Sequence, residues 1–383
     1  MQGWGVILAA ICYLLCLFVV ASLGDRWGRK RRLGGRSIIY SLALAIYCTS
    51  WTFFGSVGLA ATSGLDFLAI YVGPILMLTV GFPLFSHIVS IAKGERITSI
   101  ADFLASRYGK STAVGVVATL IAVVGTVPYI ALQLKAISTS VETMVTADRT
   151  SLLGTAGTPI DTSFFVAIVL ALFAILFGTR HADATEHQEG MMVAIATESI
   201  VKLVAFLAAG IAVVFFIFDG PSDLIAQAAA SEFIRSNLLV GVNPGTFLIF
   251  SLLSFCAFVL LPRQFHVGVV ENRNAQELKT ARWLFPAYLI LINLFVVPVA
   301  LAGLLTFGRS VDADDYVLAL PLSNDMPALA FVIFLGGLSA ATAMVIVASV
   351  ALSIMISNNL ILPLILGGER RLGRFSVRDK PWS

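Results

Sequence analysis

The chain has 383 residues, of which 58% are hydrophobic and only 12% are charged, and its mean hydropathy is +0.94. This composition excludes a soluble domain, which would aggregate. The net charge of +3 indicates little as a total, so the distribution of charge matters more. The cysteines lie in apolar runs without metal-ligand spacing, which favours core residues over a disulfide or metal site: Cys12, Cys16, Cys48 and Cys256.

Nine apolar segments are long enough to cross a bilayer as helices. They lie at residues 4–23, 37–61, 66–91, 112–146, 162–179, 190–218, 245–262, 284–307 and 328–356. Basic residues follow the first segment and do not precede it, which predicts a retained helix with its N-terminus outside. Nearly all Lys and Arg then fall in segments predicted to be cytoplasmic, including the C-terminus.

The second segment has polar and aromatic residues at its middle, namely Tyr47, Cys48, Thr49, Ser50 and Trp51. We therefore predict a membrane helix that loosens at mid-depth. Backbone groups freed there need partners within the bilayer, so an irregular centre indicates a cavity, a solute or an ion. Such a helix is typical of a transporter core.

Two pairs of charged residues lie inside predicted spans. Lys135 and Glu142 occupy the outer half of the long fourth segment, which we expect Pro128 to kink. Lys135 either reaches the outer surface with Glu142 as its partner or belongs to a solute pathway. In the sixth segment, Glu198 and Lys202 lie four residues apart on one helical face. This pair is a functional hypothesis, with a structural ion pair as the alternative.

The last third of the chain predicts an interfacial stretch and a small-residue helix. Residues 272–283 are polar and are expected to lie along the inner surface, with Arg263 and His266 also at the interface. In the ninth segment, Gly336 and Gly337 permit the close approach of another helix. A hydroxyl-bearing stripe that includes Ser339 and Thr342 follows, and it would suit packing against the broken second segment. Hydroxyls and freed carbonyls together would suit a small cation.

Several sequence stretches resemble the sodium:solute symporter family, in the order in which that family has them. They are LGGRS at 33–37, the polar-centred second segment, ITSIADFLASRYG at 97–109, the DATEHQEGMM turn at 183–192 and GLSAATA at 337–343. More closely, YCTSWTFFGSVG, YIALQLKAISTS and LPRQFHVGVVEN resemble the symporter-like N-terminal membrane module of CbrA-type bacterial sensor histidine kinases. The resemblance covers almost all of the chain.

The resemblance implies an all-α, polytopic membrane protein with about nine transmembrane helices. One extra helix would precede an incomplete inverted-repeat core of five plus five helices, with the second and seventh segments broken. A sodium ion would be held by the carbonyls of Ala45 and Cys48 and by the hydroxyl of Ser339. The family's second, adjacent hydroxyl falls on Ala340 here, and Thr342 is the next hydroxyl along the helix. Proton coupling, or no coupling, therefore stays an alternative to sodium.

The resemblance also implies where a solute would bind. It would lie at the breaks of the second and seventh segments, among Tyr47, Thr49, Ser50, Trp51, Gln133, Ser254 and Phe255. We expect the membrane module of a sensor histidine kinase that senses a small organic solute such as an amino acid, and transport of that solute stays open. The alternative is a stand-alone secondary transporter, coupled to sodium or protons, present as an incomplete fragment. No phosphoacceptor histidine helix pair or Gly-rich ATP lid is recognised, so we expect no enzyme activity.

The expected domain organisation is a transmembrane domain at 1–356 followed by a basic cytoplasmic tail at 357–383. We expect the chain to be a truncated part of a larger protein in the bacterial inner membrane. Its partners would then be the lipid bilayer, the solute, and either a downstream kinase domain or the missing C-terminal helices. We expect no nucleic-acid partner.

Overall fold

The chain is an all-α, polytopic membrane protein, as the sequence predicts. A computed structural model describes residues 3–30, 35–146, 168, 171–172, 175, 188–232, 234–235 and 243–365, and every regular element in this part is helical. Six helical stretches there are long and apolar enough to cross a membrane. A helix pair bent by 55°, Pro244–Leu260 with Pro262–Val270, gives a seventh.

The α-helices are numbered in chain order over the described residues. The first seven are α1 (Gly3–Lys30), α2 (Arg36–Ala43), α3 (Ser56–Ser63), α4 (Ala69–Thr79), α5 (Phe82–Gly94), α6 (Ile100–Arg107) and α7 (Thr112–Thr146). The others are α8 (Glu189–Ala212), α9 (Pro221–Ala230), α10 (Pro244–Leu260), α11 (Pro262–Phe265), α12 (Ala275–Asn293), α13 (Val296–Phe307), α14 (Tyr316–Ser323) and α15 (Pro327–Ile356).

Several predicted spans differ from the helices of the structure. The second and third predicted spans meet in one helical stretch, Trp51–Thr79, and the eighth begins earlier, in the stretch Ala275–Phe307, which takes in most of the predicted interfacial stretch 272–283. The third, predicted as one helix, is divided at Val80 and Gly81 into α4 and α5. Pro83 lies in the first turn of α5, where its missing N–H costs nothing, so a new helix begins there. The last predicted span does not end at 356, because the helix that starts with α15 continues to Ile365.

Four sequence predictions lie wholly or partly outside the described residues. The fifth predicted span at 162–179 is described at only a few isolated positions. The first half of the DATEHQEGMM turn and the first two residues of LGGRS are also outside, as is the predicted tail from 366 onward.

The second predicted span is a broken helix, which confirms the prediction. After α2, a 3₁₀ turn at Leu44–Tyr47 leads to Cys48, whose backbone is extended with φ −81° and ψ 102°. A π-helix at Trp51–Gly55 then resumes the helical path into α3. The irregular stretch falls among the polar residues that predicted it.

Helix α15 supports this broken helix, and two glycines make the approach possible. A Cβ atom at Gly336 would lie 2.9 Å from the Phe53 ring, and one at Gly337 would overlap the Phe54 ring. Both phenylalanines belong to the π-helical segment and are buried. The predicted contact between the small-residue helix and the broken second span is therefore confirmed.

A network of charged groups closes one end of the bundle, which we call the basic end. Arg36 at the start of α2 donates to Glu189 of α8 at 2.9 Å and also pairs with the fully buried Glu277 of α12. Arg273 pairs with Glu189 at 2.5 Å, and Lys93 of α5 donates to Asn272 at 2.6 Å. Four chain segments are thus tied together at this end.

We expect Arg36→Ala to lower the free energy of unfolding by about 3 kcal/mol, because it leaves a buried carboxylate without its cation. The expected loss is at the low end of the range for buried ion pairs, because the Glu277 carboxylate still accepts a hydrogen bond from the Arg273 amide at 2.8 Å in the variant. The matched control is Arg107→Ala. Its pair with Glu95 is more than a third exposed, so water and salt screen it and its loss should change the stability little. Denaturant unfolding in detergent would show both, and equal effects would contradict this ranking.

We expect Gly337→Ala to destabilise the protein by about 1–3 kcal/mol, because the added methyl group overpacks the contact with Phe54. Gly94→Ala is the control, since nothing lies within 4 Å of its Cβ position. Thermal unfolding midpoints of the two variants check this. A Gly337→Ala protein as stable as Gly94→Ala would show that the π-helix does not rest on α15.

Candidate functional site

Side chains from other helices pair the backbone carbonyls that the break in the second span releases. The Lys202 Nζ atom of α8 donates to the carbonyls of Ala45 and Cys48, each at 2.7 Å. The Gln264 Nε2 atom of α11 donates to the carbonyl of Leu44 at 3.2 Å. Both side chains are buried, so these contacts lie in the protein interior where water cannot replace them.

Helix α7 provides partners on the other side of the break. The Gln133 Oε1 atom accepts hydrogen bonds from the Ser50 amide at 3.0 Å and from the Ser50 hydroxyl at 2.7 Å. The hydroxyls of Thr49 and Tyr129 lie 2.8 Å apart. The structure therefore places three of the residues predicted for the solute site, Thr49, Ser50 and Gln133, on facing sides of the break, and it adds Tyr129 to them.

The break in the seventh predicted span occurs at Leu261. Its extended backbone, with φ −67° and ψ 126°, separates α10 from α11. The interfacial prediction for Arg263 and His266 is wrong, because the bend turns both side chains inward and leaves them 6% and 3% exposed. The Arg263 guanidinium lies 4.9 Å from the centre of the Tyr129 ring, beside the break in the second span.

The placement of Ser254 and Phe255 at this break is wrong. Both lie within regular α10, and the Ser254 hydroxyl donates to the Ala69 carbonyl at 2.9 Å. Pro262 causes the break instead, since it lacks an N–H and forces the preceding residue into an extended conformation. The proline in LPRQFH was the signal that could have located the break.

Two cavities adjoin the break. The larger has a volume of about 900 Å³ and is lined by apolar residues of α6 and α7 together with Tyr47, Trp51, Thr52, Tyr129 and Arg263. The smaller, of about 180 Å³, is lined by Ser50, Trp51, Tyr129, Gln133, Lys135, Asp312, Asp314 and Asp315, among others. Trp51 and Tyr129 line both cavities and therefore separate them.

Acidic residues lie at the mouth of the smaller cavity, which marks the acidic end of the bundle. Burial, together with the charges of Asp312 and Asp314, raises the pKa of Asp315 to about 6. The pKa of Asp314 is also raised by burial and by Asp312, against the opposing effect of Lys135. Lys135 thus faces the acidic cluster, whereas Glu142 is exposed and accepts a hydrogen bond from Ser138 at 3.3 Å.

The residues predicted to bind an ion are buried, and each is bonded to α8. The carbonyls of Ala45 and Cys48 accept from Lys202. The Ser339 hydroxyl donates to the backbone carbonyl of Glu198 at 2.8 Å, and the Thr342 hydroxyl donates to its carboxylate at 2.6 Å. The predicted pair of α8 therefore contacts both halves of the predicted ion site.

Comparison with known proteins shows the fold. No protein-family model and no curated protein matches the chain. Among solved structures, it is similar to a Na⁺-coupled sialic acid symporter in a substrate-bound, outward-open state. The two share 15% sequence identity with a TM-score of 0.64, and the match covers 94% of this chain and 75% of the symporter chain. The chain thus has a symporter-like fold.

Proposed function

We propose that the chain binds a small organic solute in the larger cavity, between the two broken helices. The observation that carries the proposal is the buried Arg263 side chain at this cavity. Its Nε atom has no hydrogen-bond partner among the described residues. A buried cation is costly unless an anionic group pairs with it. A solute with a carboxylate, such as an amino acid or a small organic acid, would supply that group.

The aromatic lining supports the same class of solute. Tyr47, Trp51 and Tyr129 surround the cavity with large amphipathic rings. Such rings provide apolar contact area and polar tips for orientation. Arg263 already lies over one of them, so its guanidinium is held in place before a solute binds. An anion with a short apolar body fits this arrangement better than a sugar with many hydroxyls.

Two biological roles are compatible with solute binding. In the first, the chain is the membrane input module of a sensor histidine kinase, and solute occupancy shifts a conformational equilibrium that the kinase reads. In the second, it is a secondary transporter, a role favoured by the symporter-like fold. Sodium or a proton would be the coupling ion of a transporter. In both, the acidic end would face outward and the basic end the cytoplasm, in a bacterial inner membrane.

A thermal-shift screen of the purified chain tests solute binding. Amino acids, small carboxylates, amines and sugars would be compared. A ligand at about a hundred times its dissociation constant should stabilise the fold by about 2.7 kcal/mol. We expect stabilisation by carboxylate-bearing solutes and its loss in Arg263→Gln. Arg107→Gln, at an exposed position, is the control. Stabilisation that survives Arg263→Gln would contradict the anionic anchor.

Uptake into proteoliposomes separates the two roles. Accumulation of the solute found in the screen would favour a transporter, and binding without uptake would favour an input module.

We expect Trp51→Ala to abolish solute binding while leaving the protein inserted in the membrane. The substitution removes the ring that separates the two cavities and lines both. Trp283→Ala is the matched control, because that ring is 68% exposed and distant in sequence from either break. Isothermal titration with the solute found in the screen checks this, and unchanged affinity in Trp51→Ala would refute the placement.

A further inference from the structure

The carbonyls expected to hold sodium are already bonded to a cation that belongs to the chain. Lys202 is fully buried, with 0% exposure, and its Nζ atom lies 2.7 Å from the oxygens of both Ala45 and Cys48. A lysine ammonium presents up to three donors and one positive charge at a single point. It supplies to these two oxygens the positive charge that a small cation would otherwise bring.

The hydroxyls on the facing helix α15 are bonded to the same helix, α8. Ala340 has no hydroxyl at the position where the resemblance implies a second one. The hydroxyls of Ser339 and Thr342 both donate to Glu198. These hydroxyl oxygens keep their lone pairs, so the feature that excludes a sodium ion is the Lys202 ammonium on the carbonyl oxygens of Ala45 and Cys48. A second cation beside Lys202 would also experience strong repulsion in this interior.

We propose that Lys202 takes the place of sodium in this chain, as a cation built into α8 that holds the broken second span. Glu198, one turn away, fastens the same helix to α15 through Thr342. The two residues together perform the bridging between the broken helix and α15 that a bound ion would perform. Solute binding by this chain then does not need sodium.

The inference deepens the proposed function at the same site, but its test uses no solute, so the two can fail separately. The purified full chain is titrated with radioactive sodium, and its thermal unfolding is compared in sodium and potassium chloride at constant ionic strength. We expect no saturable sodium binding and equal unfolding midpoints. Saturable sodium binding, or stabilisation by sodium over potassium, would overturn the proposal.

Replacement of Lys202 should create a preference for sodium over potassium that the wild-type protein lacks. In Lys202→Ala the carbonyls of Ala45 and Cys48 lose their cation, and we expect a midpoint that is lower in potassium and rises specifically with sodium. Lys279→Ala is the control, because it removes the same charge from an exposed position on α12 that lines neither cavity. A folded Lys202→Ala protein with no preference for sodium would overturn the proposal that Lys202 takes the place of a sodium ion.

Lys202→Met keeps the unbranched side chain up to the position of Cε, removes the ammonium group, and serves where the alanine variant fails to insert. The same sodium preference is expected, and its absence in a folded Lys202→Met protein would count equally against the proposal. If neither variant can be purified in a folded form, the sodium titration of the wild-type chain tests the proposal.

Discussion

A membrane helix cannot leave backbone carbonyls unpaired in its middle, and the architecture of this chain follows from that constraint. The break between Tyr47 and Trp51 releases carbonyls where no water or lipid group can pair them. Buried side chains on three other helices reach the break: Lys202, Gln264 and Gln133. These buried polar side chains therefore hold the broken segment from several sides. Their contacts with the break explain why polar residues occur inside this apolar bundle.

The sequence was sufficient to predict the break but not its partners. Polar and aromatic residues at mid-span identify a loosened helix by local chemistry alone. The side chains that reach the break, Gln133, Lys202 and Gln264, lie from 83 to 220 residues away from the residues they bond. Only the fold shows which of them reaches which backbone group. The i, i+4 spacing of Glu198 and Lys202 suggested a pair bonded to each other. In the structure the ammonium reaches the broken helix, while the carboxylate accepts from α15.

The second break shows how sequence reasoning failed for a definite physical reason. The family resemblance implied a broken seventh span, and the break was expected near Ser254 and Phe255. However, a serine in a membrane helix can donate to a backbone carbonyl without disturbing the helix, as Ser254 does. A proline cannot continue the hydrogen-bond ladder, so Pro262 sets the break and turns Arg263 inward. Charge alone predicted a surface position for that arginine, because charge patterns carry no information about a bend.

A lysine ammonium that is part of the chain differs from a reversibly bound ion, because an ion gradient cannot change its occupancy. An ion that binds reversibly stabilises a conformation by an amount that depends on its concentration, so a gradient of that ion can shift the conformational equilibrium. Lys202 is covalently part of α8, and its presence at the break does not depend on the sodium concentration on either side of the membrane. It stabilises the broken helix by a fixed amount. Under the proposal that Lys202 takes the place of the ion, the conformational equilibrium of the bundle would respond to solute occupancy and not to a sodium gradient.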